Sequence, residues 1–493
     1  MRRYAISASL LLFLVPTLSA AEIRGKTLRE TWQELRADKG KVGWAHMLVY
    51  EVNVDGTKLI RTIVTEEMKY IRSGDPYKED TVQKMLETPS GEVVELEYRT
   101  TLGKNQHLHV RGRPQGTEVM LNVLSEDGKD TIFQQKVPWD PAALGLFAQE
   151  VYFVGKKLEP GQKHSMKGFS TTVNRVIPTN YEVKGMQNVG SNGRKMLRLE
   201  QTYPKELYMS KSTVWLDAQG YSVRTDEETP LFGLVVTENV EKEVALAPYK
   251  GDVKDIESPV LVNKPITFKP KPPSELLVRV MMEGEDQPGT LFEQDGRQKV
   301  IRADNQSAEL RLLARPEAGE KIDQVGAEYL ASNFYIRSDD PAVKKRVKEA
   351  VGDMTDKRKQ LRAIRLWIKA NVKGDYEVAF ATADEVARTL EGDCSEMGVL
   401  AAAMCRSLGI PSRVCFGLVY DTENPGFGGH LWTEVFIDGH WEMLDPTGVL
   451  YQVGAAHIKV GAYSMKDVLN PDELVAVRRA FAGKMKVDVL ESK

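Results

Sequence analysis

Cysteine is scarce in this chain: 493 residues hold three, Cys394, Cys405 and Cys415, all inside one short stretch. That rules out a disulfide-stapled scaffold, and the odd number leaves at least one free thiol. Charge of either sign is not in excess. Lys and Arg total 67 against 70 Asp and Glu, a formal net charge of −3, so there is no electrostatic case for a nucleic-acid partner. Past the N-terminal residues no apolar run approaches the roughly 18 residues that a membrane span requires, which leaves no membrane anchor. Phosphate-cradling glycine loops, calcium-binding loops and zinc-type Cys/His spacings are missing too, so no cofactor and no metal is indicated.

What is present begins with an export signal. Arg2-Arg3 precede an apolar stretch from Ala5 to Val15, and Pro16 with Leu18-Ser19-Ala20-Ala21 offers small residues for cleavage. Residues 1–21 thus read as a signal peptide, and the expected location is periplasmic or secreted. Loss of Arg2 and Arg3 moves the formal charge from −3 to −5. The remainder is 42% hydrophobic and 28% charged over the whole chain, a globular composition, and its length calls for two or three domains.

From Lys26 to Asp38 the spacing of Leu28, Trp32 and Leu35 predicts a short amphipathic helix. A long series of β segments follows. Val42–Val54 and Thr57–Ile71 meet across Asp55-Gly56, a hairpin signal. Glu92–Thr101, His107–Arg111, Thr117–Leu124 and Thr131–Val137 continue the series. Asp140 to Val151 reads as a helix with Asp140 as N-cap and Pro141 at its first position. Strands resume at Ser165–Val176, Tyr181–Val189, Lys195–Tyr203, Met209–Leu216, Tyr221–Asp226 and Leu231–Val244. Residues 22–247 therefore make a large antiparallel β domain, a curved sheet or half-barrel. Pro248 to Pro273 is a proline-rich connection, stiffest at Lys269-Pro270-Lys271-Pro272-Pro273, and leads into a small β module (Leu276–Met282, Gln298–Ala314) that completes residues 248–320. Helices at Pro341–Val351 and Lys357–Val372 open the last domain, 321–493. The fold class is α+β and multidomain.

The chemistry gathers in that domain. Asp393 is an N-cap and Glu396 stands at the capping-box position, so Cys394 is the first residue of a helix that runs to Leu408 and stops at Gly409 before Pro411. The positive helix end favours a thiolate there. Cys405 lies inside this helix and Cys415 inside the next strand (Ser412–Tyr420), where cysteine is an ordinary buried hydrophobe. After a glycine-rich loop, Asp421 to Gly429, His430 opens a strand ending at Ile437, and Asp438-Gly439 turns the chain. A tight turn pairs Ile437 with His440 and sets Trp432 opposite Asp445, which makes His430 and Asp445 diagonal neighbours on one face. Cysteine, histidine and aspartate in this order supply a nucleophile, a base and a group that orients the base. Trp432 is placed to shield that pair, to line a substrate tunnel, to donate to an oxyanion or simply to pack in the core. His107 and His109 share a strand face but lack a third ligand, and His457 reads as a structural histidine.

These stretches resemble the bacterial transglutaminase-like domain: Tyr335-Ile-Arg-Ser-Asp, Trp367-Ile-Lys-Ala-Asn-Val, Gly392-Asp-Cys-Ser-Glu, Leu408-Gly-Ile-Pro-Ser-Arg-Val, Gly429-His-Leu-Trp-Thr-Glu-Val and Leu444-Asp-Pro-Thr. The similarity spans roughly residues 325–465. It implies a papain-like α+β core, with Cys394 as nucleophile, His430 as base and Asp445 as the orienting acid. Members of that family include transamidases, proteases, amidases and inactive scaffolds. With the export signal, the resemblance implies an exported thiol hydrolase or acyltransferase whose partner is a protein or peptide amide. The competing reading is a binding or envelope-scaffold protein with a vestigial site, and three intact site residues weigh against it.

Overall fold

The computed structural model describes residues 23–493 apart from 38–39, 73, 105, 190–192, 208, 210, 230–231, 252, 254–259, 270–271, 284–286, 318–323, 379–380, 448–454 and 467–484. The signal-like residues 1–21 and the two central residues of the Lys-Pro-Lys-Pro-Pro run lie outside that set. The described chain is mostly β, with three sheets of fourteen, five and four strands and a short set of helices.

Strand Ile23–Ala37 sits in the middle of the fourteen-stranded sheet. Its residues Leu, Arg, Glu and Gln favour a helix, which is why the spacing predicted one. The observed strand is hydrogen-bonded on both sides: Trp32 is registered with His46 on one neighbour and with Val240 on the other. Two ladders outweigh a local preference that is small per residue. Leu35 and Ala37 point into the apolar cluster with Val42, Ala45 and Val235 while Arg36 stays exposed, a period of two.

On one side of this seam, strands follow in chain order out to Thr131–Pro138; on the other, they run from Gly233–Val240 out to Lys163–Ser170. The Asp55-Gly56 turn has both residues at positive φ (51° and 82°), as a two-residue hairpin with this handedness demands. One strand of the series, Asp75–Glu87, has no counterpart in the sequence reading, because its polar Lys78–Thr81 segment hides the alternation. The predicted break after Val176 falls earlier, at residues 171–174, where Asn174 takes φ 47° and turns the chain into Arg175–Val189.

The sheet curves but is not closed, since its two edge strands do not pair. Trp139 stacks on Phe169 with ring centroids 5.8 Å apart, and Tyr98 donates to Asn174 across 2.6 Å, so the edges approach over a shared apolar interior. The segment between them is helical only over Leu146–Glu150. Asp140 caps a turn instead, accepting from the Ala142 amide, and Leu144 donates to the Lys167 carbonyl, which holds residues 140–145 out of a helix. Glu87 from a neighbouring strand takes over the capping: its carboxyl oxygens accept from Phe147 and Ala148 at 3.0 and 2.9 Å. Gly145 is required there, because a Cβ would stand 2.0 Å from a Glu87 oxygen.

The proline-rich connection is pinned on both flanks. Val253 packs among Leu35, Val42 and Tyr70 and accepts from the Ile71 amide, while the Ile266 amide donates to the Tyr420 hydroxyl. In the four-stranded sheet, the single strand predicted over Gln298–Ala314 is a hairpin, Gln298–Ala303 and Ser307–Leu313, turned at Asp304. The sheet's edge beyond Glu275–Met282 is supplied by Met485–Ser492 from the end of the sequence.

Helices Pro341–Val351, Lys357–Asn371, Ala383–Thr389 and Cys394–Ser407 pack around Ile336, Ile364, Ile368, Leu400 and Met404, all fully buried. Ala383–Thr389 escaped the sequence reading because it spans only seven residues. The Cys394 helix lies on strand Gly426–Ile437, with Gly398 facing Leu431 so closely that a Cβ would sit 2.5 Å from it. The Thr433 hydroxyl donates to the Gly398 carbonyl at 2.6 Å. Helix and strand are locked at the level of the site.

Candidate active site

Cys394 begins its helix as the sequence requires. Asp393 accepts from the Ser395 amide at 2.7 Å, and Glu396 reaches back to the Asp393 amide at 3.0 Å. The other Glu396 oxygen accepts from Ala381 at 3.1 Å. Glu396 is fully buried, and burial first, then repulsion from the Asp393 carboxylate, pushes its carboxyl up to about 8, so it is a neutral acid at neutral pH. Asp393 has a further partner from the fourteen-stranded sheet: the Arg72 guanidinium, 321 residues earlier in the chain, meets it at 3.0 Å. Lys104 pairs with Asp375 at 2.8 Å beside this contact. The curved sheet thus grips the helix start. Nothing local in the sequence around Arg72 signals this.

The three cysteines separate as their surroundings dictate. Cys405 and Cys415 are buried completely and burial raises both thiols, Cys405 to about 12. Cys394 is partly exposed.

His430 lies within strand Gly426–Ile437 rather than at its start. The predicted loop is shorter because Gly426, Gly428 and Gly429 pair with Asp421, Val419 and Leu418. The Asp438-Gly439 turn is tight, with φ of 55° and 86°, and Ile437 pairs with His440. Two strands in that register bring the His430 Nε2 to 2.9 Å from Asp445 Oδ2, both side chains nearly free of solvent. The Cys394 side chain is near enough to favour the charged form of His430. With Nε2 committed to Asp445, Nδ1 is the ring nitrogen left for the thiol.

Burial opposes charge on His430, but the Asp445 carboxylate and the Cys394 side chain outweigh it and lift the imidazole from an ordinary 6.5 to about 10. Asp445 is likewise held well below the usual carboxylate range: burial works the other way and is overcome by His430 and His457. Its second oxygen accepts from the Thr447 amide and hydroxyl at 2.9 and 2.7 Å.

His457, which the sequence marked only as structural, donates to the same Asp445 oxygen at 3.1 Å. It belongs to strand His457–Tyr463, and the signal that would have placed it is the register of that strand, which no tight turn fixes. Burial keeps this imidazole below its usual value. His430, Asp445 and His457 offer donor atoms within 4.8 Å of one another, but both imidazoles already converge on one carboxylate oxygen at hydrogen-bond length. Trp432 is wholly buried with its ring stacked on His430 at 6.0 Å, an arrangement that fits shielding and core packing alike. His109 is buried against Glu97, and His107 bonds Thr101.

Further along the same strand, Glu434 accepts from Arg413 at 2.6 Å and from Lys459 at 3.0 Å, all three buried. Burial would raise this carboxyl, but Lys459, Arg413 and Arg297 hold it far below the usual range.

No curated protein matches the chain. Solved structures that do include a candidate cysteine protease from Cytophaga hutchinsonii, at 16% identity over 44% of this chain and 86% of that one, TM-score 0.29. Another is a β-barrel-like protein of a domain of unknown function from Brucella abortus, at 10% identity over 43% and 95%, TM-score 0.29. A candidate protease from Parabacteroides distasonis matches at 12% identity over 71% and 63%, TM-score 0.18. Superpositions this poor bear no argument about activity. The family model of the transglutaminase-like superfamily matches residues 344–446, the stretch that holds Cys394, His430 and Asp445. Over those residues the chain carries a domain of the transglutaminase-like superfamily.

Proposed function

We propose that the protein is an exported thiol enzyme acting on protein or peptide amides, a protease or amidase or else a transamidase. The observation that carries this is the buried 2.9 Å bond from His430 Nε2 to Asp445, on a strand packed against the helix that begins at Cys394, whose side chain favours the charged His430. Such a trio performs acyl transfer.

In the first half-reaction the Cys394 sulfur attacks the amide carbonyl carbon and the carbonyl π pair moves to oxygen. The Cys394 backbone N–H at the helix start is the donor aimed at that oxyanion, the Ser395 amide being tied to Asp393. Collapse breaks the C–N bond, and the imidazolium proton of His430 goes to the leaving nitrogen. The product is a thioester on Cys394 and a free amine. In the second half, neutral His430 takes a proton from water or from an incoming amine as it attacks the thioester. Sulfur leaves as thiolate, and either a carboxylic acid or a new amide is released. Asp445 steadies the imidazolium in the first half and fixes the ring throughout.

Incubation with casein and a labelled primary amine separates the outcomes. Label incorporation identifies a transamidase and new N-termini identify a protease, with both lost in Cys394→Ala. If the wild-type thiol reacts with iodoacetamide no faster than a free thiol at neutral pH, and Cys394→Ala behaves as wild type, the enzyme reading is wrong.

A further inference from the structure

We propose that His457 is a positioning residue for the His430–Asp445 pair, its Nε2–H holding the Asp445 carboxylate in the one orientation that faces His430. This rests on the function proposed above and adds to it a residue outside the stretch that the family model matches, residues 344–446.

The argument starts from the capacity of a carboxylate. An ionised carboxylate only accepts, with about four lone-pair sites. At Asp445 the four are filled: His430 and His457 on Oδ2, the Thr447 amide and hydroxyl on Oδ1. Apart from the half-turn that merely exchanges its two equivalent oxygens, no rotation of the carboxylate preserves all four, so its orientation is fixed. Thr447 alone would leave Oδ2 held by His430 only, the very group whose charge and hydrogen bonding change during the reaction. His457 supplies the constant contact.

Tautomers follow. Both imidazoles face an acceptor, so both carry hydrogen on Nε2. For His457 this leaves Nδ1 unprotonated, and that nitrogen is buried without a hydrogen-bond partner. An unpaired acceptor of this kind costs less than the unpaired N–H donor the other tautomer would bury. The ring is also boxed in: Trp432 meets it edge-on with centroids 5.1 Å apart, and the His430 ring lies 5.8 Å away. The charged and titratable groups it feels are Asp445 beyond strand His440–Leu444, His430 on Gly426–Ile437, and Arg297 ahead of Gln298–Ala303. Both His430 and Arg297 disfavour a charge on His457, in addition to its burial. It therefore donates a hydrogen bond without competing as a cation for the carboxylate that His430 requires.

The test compares His457→Phe, which fills the space without a donor, with His457→Gln, whose side-chain amide restores an N–H. The readouts are kcat and KM on the peptide substrate found in the casein assay, and the pH dependence of Cys394 alkylation by iodoacetamide. Loss of the N–H is expected to lower kcat by about 10–100-fold, the range for groups that orient a functional partner, with KM little changed. The alkaline limb of the alkylation profile moves to lower pH, and His457→Gln recovers most of both effects. If His457→Phe stays folded and lies within twofold of wild type with an unmoved alkaline limb, the proposal fails. It fails equally if His457→Gln is as impaired as His457→Phe. Should both variants unfold, nitrogen-15 NMR of the wild-type histidines decides: a neutral Nε2–H tautomer for His457 at neutral pH supports the proposal, and a cation or an Nδ1–H tautomer overturns it. An unreactive wild-type thiol would instead sink the functional reading itself, so the two failures are distinguishable.

Discussion

The two halves of the site are supported in different ways. Asp445 is held by His430, His457 and Thr447, all within the C-terminal sheet and the turn after it. The start of the Cys394 helix is held from outside: Asp393 is shared between the Ser395 amide and Arg72 of the curved N-terminal sheet, with Lys104 on Asp375 close by. His430 is thus oriented from within the C-terminal sheet, whereas the cap of the Cys394 helix is held from the N-terminal sheet. Damage to the first should show in proton chemistry, and damage to the second in the thiol's placement.

The largest effect expected is from Asp445→Asn. It leaves the shape but removes the charge and permits the wrong imidazole tautomer, which in comparable trios lowers turnover by about 10⁴-fold. The sign of the accompanying pH change follows from His430, whose imidazolium is favoured by Asp445 up to about 10. Without the carboxylate, the imidazolium is lost at lower pH, and the alkaline limb of Cys394 alkylation falls toward the ordinary histidine value. An unshifted limb would mean that Asp445 does not govern His430.

A smaller effect is expected across the domain junction. Arg72→Ala removes a charge-assisted hydrogen bond from a carboxylate that is 4% exposed, a loss of about 1.5–3 kcal/mol. We expect roughly a tenfold slower Cys394 alkylation at all pH values, with the limbs in place. Asp393→Asn sharpens the comparison, since it keeps the acceptor for Ser395 but turns an amide NH2 toward Arg72, so the contact is lost and the variant should be at least as slow as Arg72→Ala. A moved alkaline limb in either variant would show that the two supports are not separate. Lys104 is a poor substitute probe, because its side chain is 44% exposed and such pairs contribute little.

The same contrast sets what the sequence could reveal. Local rules located Asp393, Cys394 and Glu396, because capping is written within four residues, and the two-residue turn at Asp438-Gly439 fixed the register that joins His430 to Asp445. Strand Ile23–Ala37 was misread as a helix because its pairing partners lie on both sides of a sheet and one of them, Gly233–Val240, is some 200 residues away. His457 and Arg72 were invisible in their roles for the same reason. Their partners are set by packing between distant segments: Arg72 is registered with Asp75 in its own hairpin, but that register says nothing of Asp393.

The mildest expected change in thiol reactivity concerns Glu396, which belongs to the nucleophile's support but is neutral. Its carboxyl stands at about 8 in the folded protein against an ordinary 4.5. A group raised in this way contributes stability that is complete below about 4.5 and is lost as pH rises through about 8. Glu396→Gln keeps an acceptor for the Asp393 amide and does not ionise, at the loss of the acceptor for the Ala381 amide, a loss that is the same at every pH. We expect near wild-type alkylation of Cys394 at pH 6, because the helix start survives. Thermal unfolding should separate the two proteins progressively between pH 5 and 8, with wild type losing stability relative to the variant. Parallel unfolding curves over that range would mean that Glu396 is already ionised in the fold. The two backbone N–H groups on its oxygens would then outweigh burial, and the helix cap would hold two charges against Arg72 rather than one.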